Sequence, residues 1–184
     1  SVFDLMPIRA RERLIIPNAQ MDSRVISVVP LKEGRAPLNQ SMKKFFAGAY
    51  VYMRESYRVL DYNKHVAFIK EHSDPATFQQ FWSAYGTDNP NSYATLLGRV
   101  GERTVQITDV KVNSNVEPHV ATVSFVTDFK KVTGGKQSTW TATLSFYYTK
   151  LSVTEGENPS TGASKLEIVD PAFNVVSYSV VQSR

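Results

Sequence analysis

The chain predicts an α+β domain in which N-terminal helices pack on one face of a curved antiparallel sheet. Three observations carry this. Between Asn39 and Tyr85 apolar residues recur at steps of three and four, the period of helices with one buried face. From Thr104 to Val181 the period is two, the alternation of strands. The helical block also precedes the strand block, whereas doubly wound and barrel folds need the two to alternate.

The elements follow in chain order. "RERLIIPNAQMDSRVISVVP" reads as two short β segments, Leu14–Ile16 and Val25–Val29, around a polar turn, and "LKEGRAPLNQ" is a loop rich in breakers. Residues 1–38 thus form a leading segment with a short β-hairpin, and residues 39–184 a single α+β unit, the whole making one domain. From about Asn39 a first helix places Met42, Phe45, Phe46, Ala49, Met53 and Tyr57 on one face, with Lys43, Lys44, Arg54 and Arg58 on the others. Asn39 or Ser41 can cap it. Gly48 costs about 1 kcal/mol against Ala inside a helix, which suggests close approach of another segment.

A second helix runs from near Asp61 to Glu71 with Val66 and Ile69 inward. The third has the sharpest bounds: Asp74 as N-cap, Pro75 at the first helical position, Gly86 as the stop. Its stripe of Phe78, Phe81, Trp82 and Tyr85 reads as core. "TDNPNSYATLLG" is a turn with a short fourth helix.

In "TVQITDVKVN" the inward parity changes from Val105 and Ile107 to Val110 and Val112, which places a bulge near Asp109. "VATVSFVTDFKKV" and "STWTATLSFYYTKL" are two long strands joined by a tight hairpin at Thr133-Gly134-Gly135-Lys136. On the second of them Trp140, Ala142, Leu144, Phe146 and Tyr148 share the core face. "SVTEGENPSTGASK" reads as an exposed polar loop, Asp170-Pro171 as a turn, and Phe173 to Val181 as the closing strand.

Composition narrows the chemistry. The absence of Cys excludes disulfides, thiolate nucleophiles and Cys-ligated metals. The surplus of 21 basic over 17 acidic residues is spread along the chain, with no stripe interleaved with aromatics, so no nucleic-acid partner is expected. The 184 residues hold no signal-peptide pattern and no apolar run of membrane-spanning length, which describes this stretch of sequence alone.

His65 and His72 stand two helical turns, roughly 10 Å, apart, too far to hold one metal directly, and with His119 they read as solvated or capping residues. No phosphate loop or metalloprotease motif occurs, and "TGGK" reads as a turn between strands. No catalytic, cofactor-binding or metal-binding residue is assigned. One enzymatic alternative stays open: a small-molecule-binding or isomerase-like site in a conical interior, drawing on Asp61, Tyr62, Tyr85, Asp109 or Asp128. It needs a deep cone with convergent polar groups, whereas a scaffold would fill that cone with rings such as Phe81, Trp82 and Trp140.

Several stretches taken together resemble one family. "FFAGAYVYMRESYRVLDY" matches a Y-x-x-x-R-E-x-Y helix through Tyr50, Arg54, Glu55 and Tyr57. "STWTATLSFYY" resembles its Trp-bearing strand, without the His that usually precedes the Trp. "LMPIRARERLIIPNAQMDSRVISVVP" is similar to the segment that leaves the membrane. The family is that of the VirB-eight (VirB8) proteins, inner-membrane assembly factors of bacterial type IV secretion systems.

The resemblance implies a nuclear-transport-factor-two-like (cystatin-like) fold, with three to four helices on a curved antiparallel sheet of about four strands. It implies a non-enzymatic periplasmic scaffold, anchored in the inner membrane by a helix preceding Ser1. Such a scaffold self-associates and binds other channel subunits, including the VirB-ten type. Family position points to Arg54 and Tyr57 on the exposed side of the first helix, Thr139, and Asp170, Pro171, Ala172 and Phe173 as contact residues. The family's Asn-Pro-x-Gly before the last strand is altered here: Asp170, Pro171 and Ala172 stand in its place and the Gly is missing. Asn158, Pro159 and Gly162 lie too far upstream to replace it. The expectation is a divergent member whose altered motif changes self-association or partner choice.

Overall fold

The computed structural model describes residues 35–149, 152–157, 164–169 and 172–184. The segments Leu14–Ile16 and Val25–Val29 lie outside the described residues, as do Asp170 and Pro171.

Helix α1, Arg35–Glu55, starts ahead of the predicted Asn39. The predicted face is buried, with Met42, Phe45, Phe46, Ala49 and Met53 all at 7% exposure or less. Burial does not stop there. Ala47, Tyr50 and Val51 are fully enclosed, and between Leu38 and Glu55 only Gln40, Lys43, Lys44 and Tyr52 keep partial exposure. The reason is position: α1 packs on β1, β2 and β3 on one side and on α2 on another. A one-sided amphipathic pattern therefore understates its burial.

Helices α2 (Tyr62–Glu71), α3 (Pro75–Tyr85) and α4 (Tyr93–Leu97) follow. The α3 boundary is as predicted. Asp74 Oδ1 accepts the Thr77 N–H at 2.8 Å, which satisfies a donor the first turn would otherwise leave open, and Gly86 ends the helix. Tyr57 does not extend α1. It forms a β-bridge with Arg103, each backbone N–H donating to the other's carbonyl at 2.9 Å.

The strands are β1 (Glu102–Asn113), β2 (His119–Lys130), β3 (Ser138–Tyr148), β4 (Ser152–Glu157), β5 (Ser164–Val169) and β6 (Phe173–Gln182). Four make one antiparallel sheet in the order β1-β2-β3-β6. The β1–β2 register slips between Ile107 and Asp109, which is the predicted bulge. It lets Val105, Ile107 and Val110 all face inward. Ala121, Val123 and Phe125 of β2, Ala142, Leu144 and Phe146 of β3, and Phe173, Val175 and Tyr178 of β6 complete the core face. Phe173 stacks on Phe46 at 5.2 Å and meets Phe146 at 4.9 Å, contacts worth about 0.5–1.5 kcal/mol each beyond area burial.

Two expectations are corrected. The β2–β3 connection spans residues 131–137 and is a wider loop than a tight hairpin; Gly134 supplies its positive φ of 80°. The stretch read as a polar loop contains β4 and the start of β5, which pair with each other from Ser152↔Val169 to Glu157↔Ser164. Gly, Pro, Asn and Glu, all depleted in strands, mark the stretch as a loop, so composition hid a pairing that the backbone makes. The β4–β5 pair is a two-stranded sheet of its own beside the four-stranded one.

Candidate functional site

The space between the helices and the concave sheet is where this architecture could hold a ligand. The last turn of α1 points two charged side chains into it. Arg54 is 4% and Glu55 1% exposed. Charges so deep cost several kcal/mol of desolvation unless each finds partners, so their surroundings decide what the site does.

Glu55 is the hub. Its Oε1 accepts from the Tyr85 hydroxyl at 2.8 Å and from Arg103 Nη1 at 3.1 Å, and its Oε2 accepts from the Tyr178 hydroxyl at 2.7 Å. Arg103 Nη1 also donates to the backbone carbonyl of Glu55. That places a cation on a carbonyl that the end of α1 leaves unpaired, where the helix dipole favours it. Thus α1, α3, β1 and β6 meet on one carboxylate.

Rings and cations enclose it. The Arg54 guanidinium lies 3.9 Å from the centre of the Tyr178 ring and 5.5 Å from that of Phe81. Arg103 lies 4.4 Å from Tyr93 and 5.6 Å from Trp140. Arg54 Nη1 donates to the Tyr50 hydroxyl at 3.2 Å, which shares a 2.7 Å hydrogen bond with Ser73. Trp140 Nε1 donates to Thr127 Oγ1 at 2.8 Å. Burial, then the Glu55 charge and its hydrogen bonds, push the Tyr85 and Tyr178 hydroxyls well above the usual phenol range. Burial also raises Tyr50, against the opposing charge of Arg54.

Beside the network, a space of about 10 Å³ lies between Arg54, His65, Tyr57 and Tyr85 among others. That is no more than one water. Arg54 Nε and His65 Nε2 line it as buried atoms without a hydrogen-bond partner among the described residues. The site has the carboxylate and tyrosines that proton transfer in a cone would use, but these groups bond to one another. Its chemistry is that of a lock.

The residues singled out in the sequence fall in separate places. Arg54 and, at 6% exposure, Tyr57 are buried, which corrects their placement on an exposed helix side. Tyr57 donates its hydroxyl to the Gly98 carbonyl at 2.7 Å. Phe173 is a core residue, whereas Ala172 and Thr139 are exposed. Ser183 bonds to Thr139 and Thr149 to Ala172, so the two exposed positions stand at opposite ends of the β3–β6 ladder, roughly 30 Å apart. Trp82 is not in the lock; its Nε1 reaches Asp88 at 3.1 Å near the surface.

Of the carboxylates offered for a cone, Asp61 pairs with Arg58 at 2.8 Å, Asp109 lies 3.7 Å from Lys111, and Asp128 accepts the Phe129 N–H. Glu55 was missed as the centre, although it stands inside the Tyr50-to-Tyr57 pattern. Among the histidines, His72 closes α2 and sits 2.9 Å from the Phe173 carbonyl. His65 and His119 are buried, not solvated. Among the described residues no cluster of three or more His, Asp or Glu could hold a metal ion.

Helices packed on a curved antiparallel sheet, with a buried carboxylate network between the two layers, define a nuclear-transport-factor-two-like domain. Comparison with known proteins agrees. The sequence profile of the VirB8 protein family matches residues 9–159. The chain belongs to the VirB8 family, components of type IV secretion systems.

Solved structures share the fold. TraE in complex with 2-(2-furyl)isonicotinic acid is 21% identical, with a TM-score of 0.57 over 77% of this chain and 96% of that one. VirB8 of Agrobacterium tumefaciens is 22% identical, with a TM-score of 0.54 over 77% and 92%. The soluble domain of TrwG from Bartonella grahamii is 20% identical, with a TM-score of 0.59 over 78% and 94%. No curated protein sequence matches the chain. No helix among the described residues is long and apolar enough to cross a membrane.

Proposed function

We propose that this domain is a periplasmic scaffold of a type IV secretion channel, held at the inner membrane by a preceding helix. It acts without catalysis, by self-association and by contact with other channel subunits, a VirB-ten-type subunit among them. The observation that carries this reading is the buried network itself: the Glu55 carboxylate is taken up by Arg103, Tyr85 and Tyr178. A pocket-based role would require that network to open. A scaffold needs only a firm body and a presented surface.

The exposed family positions, Thr139 and Ala172, are two surface points from which such contacts are made. Thr139→Arg adds a bulky cation to β3 without touching the core. In cells lacking their own VirB8-family subunit, the membrane-tethered protein carrying Thr139→Arg accumulates at the parent level yet lowers secretion-dependent transfer by about tenfold, the loss expected of a central contact. If Thr139→Arg and Ala172→Arg both transfer as well as the parent, the scaffold reading at these surfaces is wrong.

A further inference from the structure

His65 of α2 is 4% exposed, and its two ring nitrogens meet different surroundings. Nδ1 stands 3.5 Å from Ser56 Oγ, just past the end of α1. Nε2 is fully enclosed and has no hydrogen-bond partner among the described residues. Arg54 Nε–H, on the last turn of α1, is enclosed and unpartnered in the same way, and both residues line the same space of about 10 Å³. Buried polar groups in folded proteins are nearly always hydrogen-bonded, to protein or to ordered water. Two that are not, on one small space, mark a site.

The protons decide what Nε2 needs. Ser56 Oγ lies 2.6 Å from the Tyr52 carbonyl, which cannot donate, so the hydroxyl proton points there. Ser56 then offers His65 only a lone pair, and Nδ1 must carry the ring proton. Burial makes a second proton on the ring unfavourable, so Nε2 keeps its lone pair and needs a donor. The hydroxyls lining the space are already committed. Tyr57 donates to the Gly98 carbonyl at 2.7 Å, Tyr62 to the Tyr85 carbonyl at 3.1 Å, and Tyr85 to Glu55 at 2.8 Å. Arg54 Nε–H has the opposite need, an acceptor, and does not reach Nε2 itself.

We infer that this space is a built site for one water molecule, which accepts from Arg54 Nε–H and donates to His65 Nε2. The volume of about 10 Å³ holds one water and no more. Its second proton has a tyrosine hydroxyl oxygen on the wall as acceptor, which gives it the three partners usual for a buried water. A halide would suit Arg54 but would face the His65 lone pair with no proton to give. The bridge adds a tie that the carboxylate network lacks. Glu55 joins α1 to α3, β1 and β6, whereas this water joins α1 to α2.

Two measurements on the intact chain test the site. Long-range proton–nitrogen NMR at about pH 8, above the usual histidine range, reads the tautomer. His65 should show a protonated Nδ1 and a bare Nε2; a protonated Nε2 overturns the site, because the water could not then donate there. Crystals grown in sodium bromide should show a water oxygen about 2.7–3.2 Å from both Arg54 Nε and His65 Nε2, with no anomalous bromide peak. No density there, or a bromide ion, overturns it.

Two variants separate a bridging water from one merely trapped. His65→Gln keeps an acceptor and retains the magnetisation transfer between Arg54 Hε and a long-lived water. His65→Leu removes the acceptor and lowers that signal about tenfold, as expected when one hydrogen bond of the water is lost. Equal signals in the parent and His65→Leu overturn the role of Nε2. Should His65→Leu fail to fold, the tautomer and the electron density of the parent chain decide.

Discussion

The Tyr178 hydroxyl donates to Glu55 Oε2 at 2.7 Å across 123 positions of sequence, tying the last strand to the end of the first long helix. Tyr85 and Arg103 bind the other oxygen of the same carboxylate. One residue thereby fixes how the helical layer sits on the sheet.

Glu55→Ala removes the shared acceptor and leaves a buried guanidinium and two buried hydroxyls without it. The expected loss is about 3–5 kcal/mol, the range for breaking a buried ion pair by deleting one partner. Tyr178→Phe leaves Glu55 bonded to Tyr85 and Arg103, so its cost is about 1–3 kcal/mol. Urea midpoints of the two variants measure the difference. Equal costs would show that the carboxylate is not the hub.

Alkali should unfold the protein through its tyrosines. Burial and the Glu55 charge raise Tyr85 and Tyr178 above their unfolded value of 10.0. Above pH 10 the unfolded chain releases protons that the folded chain keeps, so stability is full below pH 10 and falls as pH rises beyond it. Tyrosinate absorbance followed with circular dichroism checks this: these two hydroxyls ionise together with loss of structure.

The acid side has its own marker. Burial lowers His65 below 6.5, with the Asp61 charge and the bond to Ser56 opposing, and the Arg58 and Lys64 charges adding to the drop. As pH falls below 6.5 the unfolded chain takes up a proton that the folded one refuses, so stability is lost on acidification. His65→Gln removes that dependence. The gap in stability between the parent and His65→Gln should shift in favour of the variant between pH 7 and pH 5, read from denaturant midpoints.

Gly48 is not required by its surroundings. A Cβ there would meet Val110 Cγ2 at 3.5 Å, an ordinary contact, so the close approach read from the sequence does not demand glycine. Gly48→Ala should stabilise the protein by about 1 kcal/mol, the helix-interior difference between the two residues. Thermal denaturation measures it. A lowered midpoint would place an unseen constraint at that turn of α1.

Periodicity and capping made much of the fold legible. Asp74 and Pro75 mark α3 because capping is local chemistry, and the parity change at Asp109 marks the bulge because strand alternation is strict. The lock was less legible. Arg54 and Glu55 are charged, and charge in a helix reads as solvent exposure until partners 48 and 123 positions away are known. Tyr57 fits the helical step yet sits on a bridge to Arg103, because tertiary pairing overrides periodicity at a helix end. The β4–β5 pair was hidden by the Gly, Pro, Asn and Glu around it, which read as a loop.

The most direct test of the scaffold account is sedimentation equilibrium of this chain over a wide concentration range. It is run alone and mixed with the periplasmic part of a VirB-ten-type subunit, beside a variant in which Asn-Pro-Ala-Gly precedes Phe173. The account predicts a mass that rises with concentration, a further rise in the mixture, and a change in self-association when the motif is supplied. A constant monomer mass in all three experiments would contradict it.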